Sequence, residues 1–362
     1  MRVKLKDVCT FYTGTGFPKK YQGQLSGTYP FYKVGDIANN VVSGKVYLEQ
    51  CNNYISEETL ELIKGSIIPK NTIVFAKIGE ALKLNRRAIT STDCLIDNNA
   101  MGIAAKSDKL RTLFFYYFMR NIKMELLAES TTVPSVRKSR LEAYEIDIPS
   151  LDEQKIIEGK LTILSKVINL KEKQLLKLDE LVKARFVEMF GEIEDCDKWE
   201  SKIWNEVVTI KNGRDYKKVL VSDGGYPVVG TGGEIARASK YLCPENTIVV
   251  GRKGSINNPM LMKEKFWNVD TAFGVIPNSD YLHYQYFYCF CKFYNFMKLN
   301  KATTLPSTTK ADLLKIRINI PPLELQNQFA SFVQEIDKSR LRELLAIKQI
   351  KLLLHDSWFL FY

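Results

Sequence analysis

The chain has 362 residues, enough for two or three domains that each bury a core. Hydrophobic residues make up 45% and charged residues 26%, which excludes a disordered or membrane-embedded chain and describes an ordinary soluble protein. The 52 Lys and Arg against 41 Asp and Glu leave a net charge of +11, a sign that favours a polyanionic partner: DNA, RNA or an acidic membrane surface.

The first residues, MRVKLKDV, lack the apolar core of a signal peptide. The 7 cysteines are odd in number and form no CxxC pair, so reduced thiols in a cytoplasm are expected rather than a zinc ribbon or a disulfide scaffold. Short β-type runs broken by Gly, Pro and Asn come first, among them YPFYKVGDI from Tyr29. The β-branched run Thr72–Ala76 is predicted as a strand, Leu113–Leu127 as an aromatic helix, and EIDI before Pro149 as a closing strand.

After Pro149 the pattern changes. Ser150 and Glu153 form a capping box, and Leu151–Phe190 has no proline and a single glycine, Gly159. Its apolar residues alternate in steps of four and three: Ile157, Leu161, Leu164, Ile168, Leu175, Leu178, Val182 and Met189. Lys171 and Arg185 interrupt that seam with stems long enough to lie along it. A helix of this length spans roughly 58 Å, too long for the interior of one compact domain, so it reads as a spacer.

The chain then repeats itself. TTVPS at Thr131–Ser135 returns as TTLPS at Thr303–Ser307, and the same offset carries EIDIPSLDEQ (Glu145–Gln154) onto RINIPPLELQ (Arg317–Gln326). Further upstream, at larger offsets, NTIVFAKIG (Asn71–Gly79) matches NTIVVGRKG (Asn246–Gly254). Tyr29-Pro30 likewise matches Tyr226-Pro227, and Val8–Gly14 matches Val208–Gly213 with a one-residue gap. Offsets that change only between motifs indicate one duplicated unit with loops of different length. In the second copy Thr247–Val250 is the strand and Tyr284–Leu299 the aromatic helix. The window Tyr281–Met297 is too short and too polar to span a bilayer. The second long helix, Leu323–Tyr362, carries Leu325, Phe329, Phe332 and Ile336, then shifts register to Leu341, Leu345 and Leu352. Two such helices most simply pair with each other, antiparallel, although pairing with another chain remains an alternative.

Catalytic signatures are not found. There is no GxxxxGK[ST] phosphate loop, and Val41–Val46 is a turn with one lysine. The 2 histidines, His283 and His355, are far from paired cysteines, against both metal ligation and a Ser-His-Asp arrangement. Asn257-Asn258-Pro259-Met260 lacks the second proline and the aromatic of an amino-methyltransferase loop. Glu153-Gln154-Lys155 has nuclease-like spacing but lies in a first helical turn, where an acidic residue is expected as a cap. The chain reads as a binding protein.

Several stretches together resemble the specificity subunit of type I restriction-modification systems. They are Thr131–Ser135, Ile146–Gln154, Arg185–Gly191 (RFVEMFG) and their second copies, placed before paired long helices. The resemblance covers essentially the whole chain. It implies an α+β fold of two similar mixed α/β target-recognition domains separated by two long helices that form an antiparallel coiled coil, a pseudo-two-fold dumbbell. The expected boundaries are residues 1–150 and 197–322 for the recognition domains, and 151–196 and 323–362 for the spacer helices. It further implies a non-catalytic cytoplasmic subunit whose domains each read half of a bipartite site in double-stranded DNA. Two methyltransferase subunits would dock on the helices and restriction subunits would join the full complex, with no membrane. S-adenosylmethionine, ATP and Mg would sit on partner subunits, and none on this chain. One departure is the second helix end, Ser357-Trp358-Phe359-Leu360-Phe361-Tyr362, where family members often continue. Its last turn is expected to be altered or shortened. A coiled-coil scaffold with protein-binding end domains is the rival reading.

Phosphate contacts want Lys, Arg and small hydroxyls on Gly-rich loops, and base readout wants forked donors and acceptors. The candidates in the first copy are Lys19, Lys20, Lys77, Lys83, Arg86, Arg87, Arg137 and Lys138. In the second they are Arg214, Lys217, Lys218, Arg237, Arg252, Lys253, Asn257 and Lys310. Lys77 and Arg252 each stand two residues before a glycine at a predicted strand end, and the TT-x-PS loops lie close to Arg137-Lys138 or Lys310.

Overall fold

The computed structural model describes residues 1–129, 133–193, 198–302 and 304–359, the side chains of 355–359 excepted. The chain divides into two compact units, Met1–Leu170 with the chain from Gln349 onward, and Lys171–Lys348.

In the first unit a five-stranded sheet runs in the order Cys9–Thr13, Ala100–Ala105, Thr72–Ala76, Arg87–Thr90, Tyr47–Leu48. All neighbours are antiparallel except the last pair. The second unit repeats four of those places with Val208–Asn212, Ala272–Pro277, Thr247–Gly251 and Met260–Met262. Beside each sheet lies a smaller one with a parallel pair, Tyr29–Tyr32 with Leu95–Ile96 and Tyr226–Gly230 with Trp267–Asn268. A two-stranded ladder closes each unit, Arg2–Lys4 on Glu145–Asp147 and Ser201–Ile203 on Arg317–Asn319. The duplicated sequence thus folds as two α+β units that share their central strand pairings and differ at the sheet edges.

The NTIV motif explains the central strand of each sheet. Asn71 and Asn246 take left-handed φ of 64° and 59°, which asparagine tolerates better than most residues. The following Thr72 and Thr247 are buried and donate their hydroxyls to the carbonyls of Pro69 and Pro244, both at 2.7 Å. The β-branched residues after them then fill the sheet interior.

The predicted aromatic helices are shorter than expected. Thr112–Asn121 and Tyr284–Phe293 are α-helical, and each is followed by a separate 3-10 turn, Met124–Leu127 or Phe296–Leu299. Asn85 and Asn257 cause the break, because their Oδ1 atoms accept the Met124 and Phe296 amides at 3.2 and 2.8 Å and so supply a non-helical partner. YPFYKVGDI also divides: Tyr29–Tyr32 is a strand, but Val34–Val42 is a helix whose start is fixed by the Lys33 amide donating to Asp36 Oδ2 at 2.8 Å.

The first long helix is Leu151–Phe190 and the second Leu323–Phe359. The capping box forms as expected: the Glu153 amide donates to Ser150 Oγ and the Ser150 amide to Glu153 Oε2. These bonds from Ser150 lower the Glu153 pKa. Ile157, Leu161, Ile168, Val182 and Met189 of the expected seam are buried. In the first unit Ile157 and Leu161 pack with the Phe114–Met119 core of the aromatic helix. In the second, Phe186 stacks on Tyr286 at 5.5 Å and Phe190 meets Phe329 edge-on at 5.3 Å.

The expected register shift in the second helix does not occur. Leu341, Leu345 and Leu352 are exposed, and the buried series runs Phe329, Val333, Ile336 and then Ile347. The heptad places between the last two hold Arg340 and Glu343, each of which has an ionic partner on the first helix. Arg340 meets Asp179 at 2.7 Å and Glu343 meets Lys171 at 2.7 Å. Lys171, expected only to lay its stem along the seam, therefore has an ion-pair role within it. Within this unit, partners that advance along one helix retreat along the other, so the pairing is antiparallel. The sequence expectation about Leu360–Tyr362 falls outside the described residues, as do the side chains of Ser357, Trp358 and Phe359.

Candidate nucleic-acid interface

Each unit builds the same loop pair from two separated motifs. In the first, the chain leaving strand Thr72–Ala76 passes Lys77, Ile78 and Gly79 and meets Pro134–Val136. The Gly79 amide donates to the Pro134 carbonyl at 2.8 Å and the Val136 amide to the Lys77 carbonyl at 2.9 Å. In the second, the Gly254 amide donates to the Pro306 carbonyl at 2.8 Å and the Thr308 amide to the Arg252 carbonyl at 3.0 Å. Gly79 and Gly254 have φ of 76° and 82°, which is why glycine follows the cation in both copies. The structure thus joins the strand-end cations to the PS half of the TT-x-PS loops. Thr131, Thr132 and Thr303, also singled out in those loops, lie outside the described residues.

The nominated cations differ in what they offer. Lys253 and Arg252 are exposed, and Arg252 has its guanidinium 5.8 Å from the Phe273 ring centre and a 3.4 Å bond to the Asp270 carbonyl. Lys77 is half-buried. Arg137 is exposed and paired with Glu129 at 2.6 Å, and Lys138 lies 3.6 Å from Glu142. Lys310 is exposed on its residue surface while its ammonium donates to the Ile210 carbonyl at 2.9 Å. Lys19 and Lys20 sit on a 3-10 turn, Lys217 and Lys218 on another, and Arg214 just before the latter; all five are exposed. Lys83 pairs with Glu80 at 2.7 Å, Arg237 pairs with Glu234 at 2.7 Å, and Arg86 is half-buried.

Two nominations are corrected. Arg87 is only 1% exposed, with donors used on the Ile122 carbonyl (2.7 Å), the Asn85 carbonyl (3.1 Å) and Asn85 Oδ1 (2.9 Å). Burial lowers its pKa to about 9, so it is a core strut rather than a phosphate contact. Asn257 is exposed, yet its Oδ1 is committed to the Phe296 amide, as Asn85 is to Met124 in the first unit. It shapes the helix break, a structural role in place of the expected base contact.

A pair of residues whose role the sequence reading did not assign holds each unit to its long helix. Gln154 and Gln326, the last residues of the I-P-x-L-x-x-Q junctions, are fully buried. Gln154 accepts the Arg111 amide at 2.9 Å and donates to the Lys109 and Pro149 carbonyls, both at 3.0 Å. Gln326 accepts the His283 amide at 2.8 Å and donates to the Tyr281 and Pro321 carbonyls at 2.9 and 2.8 Å. Each satisfies three backbone groups between helix start and aromatic helix. The signal was in the repeat, which kept glutamine where neighbouring residues changed.

The described cysteines are unbridged, and burial pushes Cys9 and Cys289 up to about 12 and Cys243 up to about 11, which keeps them as protonated core thiols. Cys196 lies outside the described residues. Among the described residues no helix is long and apolar enough to cross a membrane.

Comparison with known proteins bears on this arrangement. The chain is 22% identical to the type I restriction enzyme MjaIX specificity subunit of Methanocaldococcus jannaschii, over 96% of this chain and 90% of that protein. Its fold matches the crystal structure of the type I restriction-modification S subunit from M. genitalium with a TM-score of 0.59 at 15% identity, covering 98% and 94% of the two chains. A chain from a structural study of complex assembly and conformational transition in the type I R-M system matches with a TM-score of 0.58 at 16% identity, covering 98% and 95%. A family model described as the type I restriction modification DNA specificity domain matches twice, at residues 1–180 and 196–352. The two matches fall on the two halves of the sequence duplication, and the chain belongs to the family of type I restriction-modification DNA specificity subunits.

Proposed function

We propose that this DNA sequence-recognition subunit reads a bipartite duplex site, one half with residues 1–150 and the other with 197–322. The observation that carries the reading is the loop pair built twice, with Lys77 in one copy and Arg252 and Lys253 in the other at the same backbone junction. A cation beside a tight glycine turn suits a phosphate, because the backbone can approach closely and the charge is fixed by the strand. The exposed Lys19, Lys20, Arg214, Lys217 and Lys218 are proposed as further phosphate contacts, and half-buried Arg86 with Lys83, Arg137, Lys138 and Lys310, which already have partners in the chain, as secondary ones. Divergent lysine turns at Lys19–Tyr21 and Lys217–Val219 fit readers of two different half-sites.

The long helices, residues 151–196 and 323–362, are proposed to hold two methyltransferase subunits, with restriction subunits joining them. Ile156, Ile163 and Leu170 are exposed at heptad spacing on the first helix, an apolar stripe separate from the buried seam. Leu341, Leu344 and Leu345, and further on Leu352 and Leu353, are exposed on the second. Catalysis, with S-adenosylmethionine, ATP and Mg, is assigned to those partners, which makes this chain a non-catalytic cytoplasmic subunit. A coiled-coil scaffold without DNA affinity is disfavoured by the family membership.

Co-expression with a methyltransferase subunit, followed by single-molecule mapping of methylated adenines, tests the reading. The expected product is one split motif with an unread spacer near one DNA turn, roughly 34 Å. A continuous short motif, or no methylation, refutes it.

A further inference from the structure

The third residue of each TT-x-PS loop is a large aliphatic side chain that the fold leaves in solvent. Val133 is 53% exposed and Leu305 is 55% exposed, and they occupy the same place in the two copies. A lone exposed aliphatic residue is ordinary on a protein surface. Here the position recurs in both copies of the duplicated loop, and in both it stands beside the cations of the candidate interface.

The backbone that follows them is held firmly. The prolines that follow, Pro134 and Pro306, accept the Gly79 and Gly254 amides, and Ser135 and Ser307 bridge to Ile78 and Lys253. In the second copy the Ser307 amide also donates to Asn300 Oδ1 at 3.0 Å, and the Thr308 hydroxyl to the Gly251 carbonyl at 2.8 Å. A loop braced in this way costs less to order when its side chain is covered. The surface beside it is open: a Cβ added at Gly79 or Gly254 would meet nothing within 4 Å. A phosphate backbone drawn to Lys77, Arg252 and Lys253 therefore has room to approach, and the aliphatic tip is then offered to the duplex.

We propose that Val133 and Leu305 are specificity residues, each packing against the C5 methyl group of a thymine in the half-site its domain reads. This inference rests on the DNA-recognition reading above. Thymine is the one base with an exposed methyl in the major groove, and an aliphatic side chain is its natural complement. A polar tip would serve a phosphate better, so the apolar residue marks a base contact within an otherwise cationic surface. Valine and leucine differ in reach, as suits two domains that read different sequences.

The test uses the complex with its methyltransferase partner and duplexes in which each thymine of the mapped site is replaced, one at a time, by deoxyuridine. Removing one buried methyl should weaken binding roughly fourfold at a single thymine in each half-site. Val133→Ala should bind the thymine duplex more weakly and lose the thymine–uracil difference in one half-site only. Leu305→Ala should do so in the other half-site only. Both side chains are exposed, so unchanged amide exchange in the unit concerned confirms that folding is not the cause. Full thymine–uracil discrimination in both variants, or no thymine whose methyl matters to the wild type, overturns the proposal while leaving DNA recognition standing. A complex that binds no duplex selectively instead removes the reading on which it rests.

Discussion

Replacing Gln326 with leucine keeps the side-chain volume near that of glutamine and removes every polar atom from a fully buried position. Three backbone groups then lose their partners: the Tyr281 and Pro321 carbonyls and the His283 amide. A buried polar group left unsatisfied costs about 1–3 kcal/mol. The mouth of a helix readmits some water, so the lower end applies to each, and the total expected loss is about 3–5 kcal/mol. The chain has two units, so a single denaturation midpoint is not a clean measure. Native-state amide exchange across Tyr284–Phe293 reports the local loss directly. Gln326→Glu keeps the acceptor for the His283 amide but turns two donor contacts into oxygen facing oxygen. It should be nearly as damaging at pH 7 and partly relieved in acid, where the protonated carboxyl can donate once. A loss below about 1 kcal/mol for Gln326→Leu would refute the claim that this residue fastens the aromatic helix to the long helix.

Arg252→Ala should weaken DNA binding across sequences and lower the salt slope by about one, since each neutralised phosphate releases about one counterion; an unchanged slope in a salt titration removes Arg252 from the interface. Arg87→Ala should leave that slope unchanged yet destabilise the first unit by about 2–4 kcal/mol in amide exchange, because it opens a cavity and frees the Ile122 carbonyl. Burial lowers the His283 pKa, and its Nδ1 accepts the Gln285 amide at 3.1 Å as the cap of the aromatic helix. The unfolded chain therefore takes up the proton first as pH falls. The cap is fully effective above the ordinary histidine range near 6.5, and its stability is lost as pH falls from there through the lower folded value. Protection of the Gln285 amide, taken as exchange relative to the intrinsic rate at each pH, should fall as pH drops through the histidine range in the wild type and stay constant in His283→Asn, whose amide oxygen caps without titrating.

Much of the architecture was legible because it is enforced locally. Pro149 and Ser150 with Glu153 fix a helix start wherever they occur, and the β-branched run after Asn71 or Asn246 makes a strand by itself. Duplication then did what no single motif could, since two weak signals in the same order and spacing identify a common unit. The register of the second long helix was not legible in the same way. Its seam runs through Arg340 and Glu343, and charges at those places look like solvent-facing residues until their partners Asp179 and Lys171 are in view.

For the interface, residue type alone settled which side chains carry the right chemistry, because charge and hydrogen-bonding capacity belong to the side chain itself. Whether that chemistry faces outward was a tertiary matter. Arg86 and Arg87 are neighbours in sequence, yet Arg86 lies half-buried in the loop before the strand, while Arg87 opens the fully buried strand Arg87–Thr90 and spends its donors on Asn85 and the Ile122 carbonyl. Lys77 and Pro134, far apart in the chain, become one loop pair through backbone bonds that no local pattern encodes. Sequence by itself therefore determined the repeat, the helices and the cationic character. The folded chain decided which cations remain free, which glutamines brace the units, and that Val133 and Leu305 stand in solvent, since burial is a property of long-range packing.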